Sequence, residues 1–91
     1  MVTIHLGSVL RSCAPQLDLR QFAGFSGTLP ELLERLASAG GPALRDRLLE
    51  GGNPRRYLNI FVDGRDVRFL PSPVRIGPGT VVDLLPAVAG G

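Results

Sequence analysis

The sequence predicts an α+β fold, in which a mixed sheet of about five strands is crossed by one main helix and accompanied by a short second helix. Three observations predict it. Short segments near both ends of the chain alternate apolar and polar residues, as half-buried strands do. One central segment repeats leucine at helical spacing, and clusters of glycine and proline separate the segments. At 91 residues, the chain has room for one small domain.

Two alternating segments come first in the chain. Residues 2–6 form one of them, and residues 16–22 form the other, with Leu17, Leu19 and Phe22 facing inward. Because alternation with a period of two is typical of strands, we predict that the two segments pair as a β-hairpin.

Two residues of this region are of types that often carry out chemistry. Cys13 lies in the predicted hairpin connection, and His5 lies at an outward position of the first strand. Neither has an acid or a second His or Cys at a recognisable spacing. We therefore predict a half-buried packing role for Cys13 and a solvated position for His5, and no metal site.

The main helix is predicted to begin after Thr28. Thr28 and Glu31 have the spacing of a capping box, in which each side chain bonds to the other residue's backbone N–H. The helix ends at Gly40-Gly41, and Pro42–Glu50 predicts the short second helix. One apolar stripe recurs at helical spacing: Leu29, Leu32, Leu33, Leu36 and Ala37. At about 1.5–3 kcal/mol per buried leucine, this stripe contributes most to the predicted core.

The second half of the chain predicts three more strands. Tyr57–Val62 is followed by the turn residues Asp63-Gly64, so Arg65–Leu70 is expected to return antiparallel. Thr80–Leu85 forms the final strand, and Pro86 marks its end. The resulting element order is β-β-α-(short helix)-β-β-β.

This order fits a β-grasp, or ubiquitin-like, domain. We predict that residues 1–86 form the domain and that residues 87–91 form a flexible C-terminal tail. The tail ends in a free diglycine, whereas the other two diglycines of the chain lie in predicted loops. Glycine has no Cβ and can pass through a narrow channel. Residues 88–91 would carry the terminal carboxylate about 13–14 Å beyond the domain, far enough to enter a partner enzyme.

Composition excludes several classes of function. The net charge is +2, and the ten cations are all arginine, scattered among eight acids, so nucleic-acid binding is not indicated. The single cysteine fits a reducing compartment, and no apolar run reaches membrane-spanning length. We predict a cytoplasmic protein without nucleic-acid or membrane partners. Because the chain has no lysine, it has no side-chain amine that could accept an isopeptide bond.

The sequence resembles the MoaD/ThiS family of prokaryotic sulfur carriers over essentially its whole length. Four segments carry the resemblance: Thr28-Leu29, residues 58–64, residues 66–69, and above all residues 85–91, Leu-Pro-Ala-Val-Ala-Gly-Gly. The last segment is similar both to molybdopterin-synthase small subunits and to actinobacterial cysteine-biosynthesis carriers of the CysO type. The two middle segments favour the CysO type.

The resemblance implies a protein co-substrate and not an enzyme. An E1-like enzyme would use Mg-ATP to adenylate the carboxylate of Gly91, and a sulfur donor would convert the adenylate to a thiocarboxylate. The carrier itself would bind no cofactor. The acceptor would be an enzyme of the cysteine synthase type or, as the second choice, the large subunit of molybdopterin synthase. In the activating enzyme's groove, Gly90 would give a slim approach, and Pro86, Ala87, Val88 and Ala89 would lie extended.

The resemblance also implies a docking surface on the sheet. Phe61 and Phe69 are the candidates for its apolar part, with Arg65 and Arg68 at its rim. The alternative is that both phenylalanines are core or ordinary strand residues.

Two other functions stay open at this stage. The diglycine also fits a ubiquitin-like modifier that is joined through Gly91 to lysines of other proteins, and an inert tail fits a plain β-grasp interaction module. An enzymatic function is the weakest hypothesis, because the sequence shows no paired carboxylates, Cys/His pair or phosphate-binding loop.

Overall fold

A computed structural model describes residues 1–86, so the predicted tail lies outside the described residues. The elements in chain order are β1 (Thr3–Leu6), α1 (Ser8–Cys13), β2 (Gly27–Thr28), α2 (Leu29–Gly40), α3 (Pro42–Leu48), β3 (Leu49–Glu50), β4 (Asn53–Pro54), β5 (Leu58–Val62), β6 (Arg65–Asp66), β7 (Arg75–Ile76) and β8 (Val81–Pro86). Two short 3-10 turns, Leu19–Phe22 and Val67–Phe69, complete the described elements.

The main sheet has four strands in the order β1-β8-β5-β6. β8 lies inside the sheet, parallel to β1 and antiparallel to β5. The short strands form two further antiparallel pairs, β2 with β7 and β3 with β4. A mixed sheet with helices packed on it confirms the predicted α+β class, although four strands share the main sheet where about five were predicted.

The start of α2 confirms the predicted capping box. Thr28 Oγ1 accepts from the Glu31 backbone N–H at 3.4 Å, and Glu31 Oε1 accepts from the Thr28 backbone N–H at 2.9 Å. Gly41 ends the helix with a φ of 95°, which glycine adopts without strain. The apolar stripe of α2 is buried along its whole length.

One core joins the helices to the inner face of the main sheet. Leu44 and Leu48 of α3 are fully buried in it beside the α2 stripe. The inner face of the sheet supplies alternate residues of three strands, namely Ile4, Leu58, Ile60, Val62, Val82 and Leu84. The predicted second helix and final strand are thus confirmed, and both contribute buried side chains to the core.

The predicted hairpin of the first two segments is wrong. The segment after β1 forms α1, which was not predicted, and residues 16–22 end in the 3-10 turn. Leu17 and Phe22 are nevertheless buried and Leu19 is half-buried, as predicted. Residues three apart share one side of a 3-10 turn, so Leu19 and Phe22 face the core together without a strand. The inward positions of Leu19 and Phe22 thus have the three-residue spacing of a 3-10 turn and not the two-residue spacing of a strand.

The hairpin that follows β5 forms, but its second strand is shorter than predicted. Asp63 and Gly64 have φ angles of 52° and 80°, which confirms the predicted tight turn. β6 ends after Asp66, because the Asp66 side chain accepts the Arg68 backbone N–H and starts the 3-10 turn Val67–Phe69. The prediction of a strand through Leu70 is wrong from Val67 onward.

Candidate docking site at the root of the C-terminal segment

We call the last two residues of β8, Leu85 and Pro86, the root of the C-terminal segment, and β8 holds them inside the main sheet. Leu85 lies opposite Asn59 of β5, and Pro86 lies opposite Leu58. On the other side, the Gly7 backbone N–H donates to the Leu84 carbonyl at 2.9 Å. Pro86 is the last residue of β8, as predicted. The predicted site residues Ala87, Val88, Ala89, Gly90 and Gly91 lie outside the described residues.

Gly7 allows the end of β1 to approach the root closely. A Cβ added at Gly7 would lie 3.0 Å from Leu85 Cδ2 and 3.3 Å from Pro86 Cδ. A side chain at this position would therefore push on the last two residues of β8. The sequence analysis missed this role, because a glycine after a strand usually signals only a turn.

The outer face of the main sheet is the face turned away from the core. Phe61 of β5 lies there half-buried, and Leu85 of β8 lies there exposed. Between β1 and β8, His5 Nδ1 lies 2.9 Å from Asp83 Oδ1. His5 is exposed, as predicted, and Cys13 is half-buried, as predicted. The outer face thus combines apolar side chains with a polar pair.

The structure brings two of the four predicted docking residues, Phe61 and Arg68, to this face and places Arg65 on the other face. Arg68 Nη2 donates to Asn59 Oδ1 of β5 at 3.2 Å, which brings Arg68 to the outer face near Phe61. Phe69 follows Arg68 and is 85% exposed. Arg65 pairs with Val62, whose side chain is in the core, so Arg65 belongs to the opposite side of the sheet.

Arg68 is also held by the carboxylate of Asp66, with Nη2 at 2.6 Å from Oδ2 and Nε at 3.1 Å from Oδ1. The hydrogen bonds from the Arg68 side chain and backbone keep the pKa of Asp66 below its ordinary value. Asp66 is therefore ionised at neutral pH, and the pair forms a charge-assisted, two-point contact.

A hollow of about 290 Å³ lies beside the root on the inner side of the sheet end. Its lining consists of Leu10, Asp46, Arg47, Arg55, Tyr57, Leu58 and Pro86. Arg55 is fixed there by the carboxylate and the backbone carbonyl of Asp46. Pro86 therefore lies beside this partly cationic hollow, which no local sequence pattern marks.

Within residues 1–86, no group of His, Cys, Asp or Glu side chains is arranged to hold a metal ion. No helix of that range is long and apolar enough to cross a membrane. The geometry of the described residues thus offers surfaces for contact around one strand end.

These features define a ubiquitin-like β-grasp protein whose internal strand leads into a C-terminal diglycine. The chain belongs to the ThiS family, because the family profile matches residues 9–91. The sulfur carrier protein CysO of Mycobacterium tuberculosis is 34% identical over 95 residues, with 99% of this chain and 98% of the relative covered.

Solved structures agree with this assignment. A chain in the crystal structure of the Amycolatopsis orientalis BexX/CysO complex is similar with a TM-score of 0.77 and 25% identity, over 100% of both chains. The crystal structure of Mycobacterium tuberculosis CysO is similar with a TM-score of 0.72 and 27% identity, over 97% of this chain and 100% of that one.

The comparisons confirm three predictions. The fold is the β-grasp, and the resemblance to the MoaD/ThiS family and to the CysO type is confirmed. The chain is a sulfur carrier, which makes it a protein co-substrate and not an enzyme.

Proposed function

We propose that the chain carries sulfur as a thiocarboxylate on Gly91 and delivers it for cysteine biosynthesis. The observation that carries the proposal is the position of β8, an internal strand that pairs with β1 as far as Leu84 and with β5 as far as Pro86, within the segment that the family profile matches. A strand held on both sides gives the reacting terminus a fixed origin. The similarity to CysO of Mycobacterium tuberculosis, in both sequence and structure, favours cysteine as the product, and molybdopterin synthesis is the second choice.

The chemistry follows from the poor reactivity of a carboxylate, which is anionic and stabilised by resonance. An E1-like enzyme would transfer AMP from Mg-ATP to the Gly91 carboxylate and release pyrophosphate. Sulfide would then attack the acyl carbon and AMP would leave, which gives the thiocarboxylate directly. A persulfide would give an acyl disulfide, which a thiol would have to cleave to release the thiocarboxylate. Gly90 would allow the narrow approach, and Pro86, Ala87, Val88 and Ala89 would lie extended in the groove of the enzyme. The carrier binds no cofactor in this scheme.

Two protein partners are needed, and we expect both in the cytoplasm. The first is the E1-like enzyme. The second is an acceptor enzyme of the cysteine synthase type, or the large subunit of molybdopterin synthase. CysO of Amycolatopsis orientalis has been crystallised in a complex with BexX, which supports a carrier that forms a complex with a protein partner. We assign the docking surface to the outer face of the main sheet, around Phe61, Arg68 and Phe69. Arg65 of the edge strand β6 lies on the opposite face.

The test is the intact mass of the Cys13→Ser variant after incubation with an E1-like enzyme, Mg-ATP and sulfide. We expect the exchange of one oxygen for one sulfur. Deletion of Gly91, or addition of one alanine after it, should abolish the exchange. Matched controls are Gly51→Ala and deletion of Gly52, which alter a diglycine in an exposed loop. Unchanged mass with a competent enzyme would contradict the proposal.

The acceptor is found by pairing the thiocarboxylated protein with a cysteine synthase and, separately, with a molybdopterin-synthase large subunit. Loss of sulfur from Gly91 only in the first mixture supports cysteine biosynthesis. Adducts between Gly91 and lysines of other proteins in a cell extract, without free thiocarboxylate, would instead establish the modifier function.

A further inference from the structure

The hollow beside the root of the C-terminal segment has a lining that is apolar in one part and cationic in another. Leu10 and Leu58 are core residues, so the apolar part is fixed in place. The Tyr57 ring also lines the hollow and is 69% exposed, and Pro86, the last described residue, completes this part. A hollow of about 290 Å³ is at the small end of ligand pockets, so it suits small apolar side chains.

The two arginines of the lining differ in their contacts. Arg55 donates to the Asp46 carbonyl and to Asp46 Oδ1 at 3.2 Å, and its Nη1 lies 3.9 Å from Glu50 Oε1. Arg47 is exposed and forms no ion pair within residues 1–86. Because Asp46 and Glu50 balance the charge of Arg55, the Arg47 guanidinium is the group of the hollow that is available to an anion.

The segment that follows Pro86 has the composition to fill this hollow. Residues 87–91 have the sequence Ala-Val-Ala-Gly-Gly, so their side chains are small and apolar, and their one charge is the carboxylate of Gly91. A chain of this length spans at most about 16–18 Å, and the hollow begins at Pro86 itself. The segment therefore offers both an apolar group for the lining and an anion for Arg47.

We propose that the hollow is a resting site for the chain's own C-terminal segment. In this site, Val88 packs against Leu58 and Tyr57, and the Gly91 carboxylate accepts from the Arg47 guanidinium. A hydrogen bond between two charged groups is stronger than one between neutral groups. A thiocarboxylate has the same charge as the carboxylate, so it rests in the same place. The resting site needs no second protein and goes beyond the proposed function.

Attachment to β8 makes a shallow site of this kind sufficient. A short link keeps the segment near the hollow at an effective concentration on the order of 1 mM. A site with an intrinsic Kd on the order of 1 mM is then about half occupied. A similar segment of another protein, present at micromolar concentration, would leave the same site almost empty. The tether therefore favours the chain's own segment over a partner's.

The resting site regulates access to the C-terminus. An enzyme that binds the terminus must first displace it from Arg47. Half occupancy of the resting site raises the apparent Kd of such an enzyme about twofold, because only the released half of the carrier molecules can bind.

The test uses the full carrier alone, in an NMR experiment at low salt. Tyr57 is the only tyrosine of the chain, so NOEs between its ring protons and the methyl groups of Val88 are assigned without ambiguity. We expect these NOEs in the unmodified carrier. Arg47→Gln should weaken them about threefold, because loss of an exposed ion pair shifts such an equilibrium by up to about fivefold.

The matched control is Arg75→Gln, which removes the same charge elsewhere. Arg75 is also exposed, does not line the hollow and has no ion pair in the described part of the chain. This variant should leave the NOEs unchanged. Absence of the NOEs in the unmodified carrier would overturn the resting site, and equal weakening by the two variants would overturn the contact with Arg47. Since no enzyme is present, failure of thiocarboxylation would count against the proposed function and not against the resting site.

Discussion

Two turns of this molecule share a local design and differ in use. At each one, an aspartate caps a 3-10 turn and binds the arginine two residues later. Asp18 Oδ1 lies 3.0 Å from the Arg20 backbone N and 3.0 Å from Arg20 Nε, and Asp66 Oδ1 lies 2.9 Å and 3.1 Å from the same atoms of Arg68. Among the described residues, only the second turn has a strand residue, Asn59, that also holds the guanidinium.

The aromatic residues of the two turns differ in burial. Phe22 is buried in the core, and Phe69 points away from it. The first turn lies beside the edge strand β1, where the Val2 N–H donates to the Ala23 carbonyl at 2.8 Å, and the second follows the other edge strand, β6. The comparison teaches that the same Asp–Arg contact can cap a 3-10 turn in two places, whereas the neighbouring elements decide whether the aromatic residue of the turn packs inward or stays exposed.

The largest difference is expected in stability. Phe22→Ala should lower the free energy of unfolding by about 3–5 kcal/mol, because it leaves a cavity in the core. Phe69→Ala should change it by less than about 0.5 kcal/mol, as surface substitutions usually do. Urea unfolding followed by circular dichroism measures both, and Phe22→Leu gives a milder variant if Phe22→Ala does not fold. Similar losses at the two positions would contradict the comparison.

A smaller difference is expected in acid. Hydrogen bonds from Arg20 lower the pKa of Asp18, and those from Arg68 lower the pKa of Asp66. A carboxylate with a lowered folded-state pKa stabilises the fold above its unfolded pKa of about 3.9, and this contribution is lost as the pH falls through the folded pKa.

Asp66→Asn should therefore reduce the fall in Tm between neutral pH and about pH 2. Asp18→Asn should reduce it less, because the Asp18 side chain is 53% exposed and its ion pair is screened by solvent. Thermal unfolding across this pH range measures both variants. A larger effect of Asp18→Asn would show that the Asp66–Arg68 pair does not stabilise the fold more than the Asp18–Arg20 pair.

The smallest effect concerns motion of the two guanidinium groups. The Nε–H of Arg68 should show a higher NMR order parameter than that of Arg20, whose side chain is 91% exposed. Asn59→Ala should bring the two values closer together, because it removes the contact from β5. Arg20 serves as the internal reference in the same spectrum. Equal order of the two groups in the unmodified protein would show that the contact with Asn59 does not restrain Arg68.

The parts of the fold that depend on neighbouring residues in sequence were predictable. The capping box of Thr28 and Glu31, the stripe of α2 and the turn at Asp63-Gly64 all rest on contacts within a few residues. In the segment 16–22, Leu17 and Leu19 have the spacing of a strand, and Leu19 and Phe22 have the spacing of a 3-10 turn. The side chain of Asp18 caps the turn and so decides between the two structures.

The candidate site was predictable only where the chemistry lies in the residue itself. The role of the diglycine is a prediction from residue type alone and lies outside the described residues, whereas the separation of Arg65 from Arg68 depends on strand register, which the residue types do not reveal. Gly7 and the hollow beside Pro86 arise from the contact between distant elements, so no local pattern marks them.

The parallel pairing of β1 with β8 has a consequence for synthesis in the cell. Thr3 lies beside Val81, so the sheet joins the first described strand to the last one. Contacts so distant in sequence form late in folding, because the loop between them must close first. The internal strand that leads to the C-terminal segment therefore takes its place only when the other described strands have been made. An activating enzyme that requires the folded face next to this strand would pass over unfinished chains and accept completed ones.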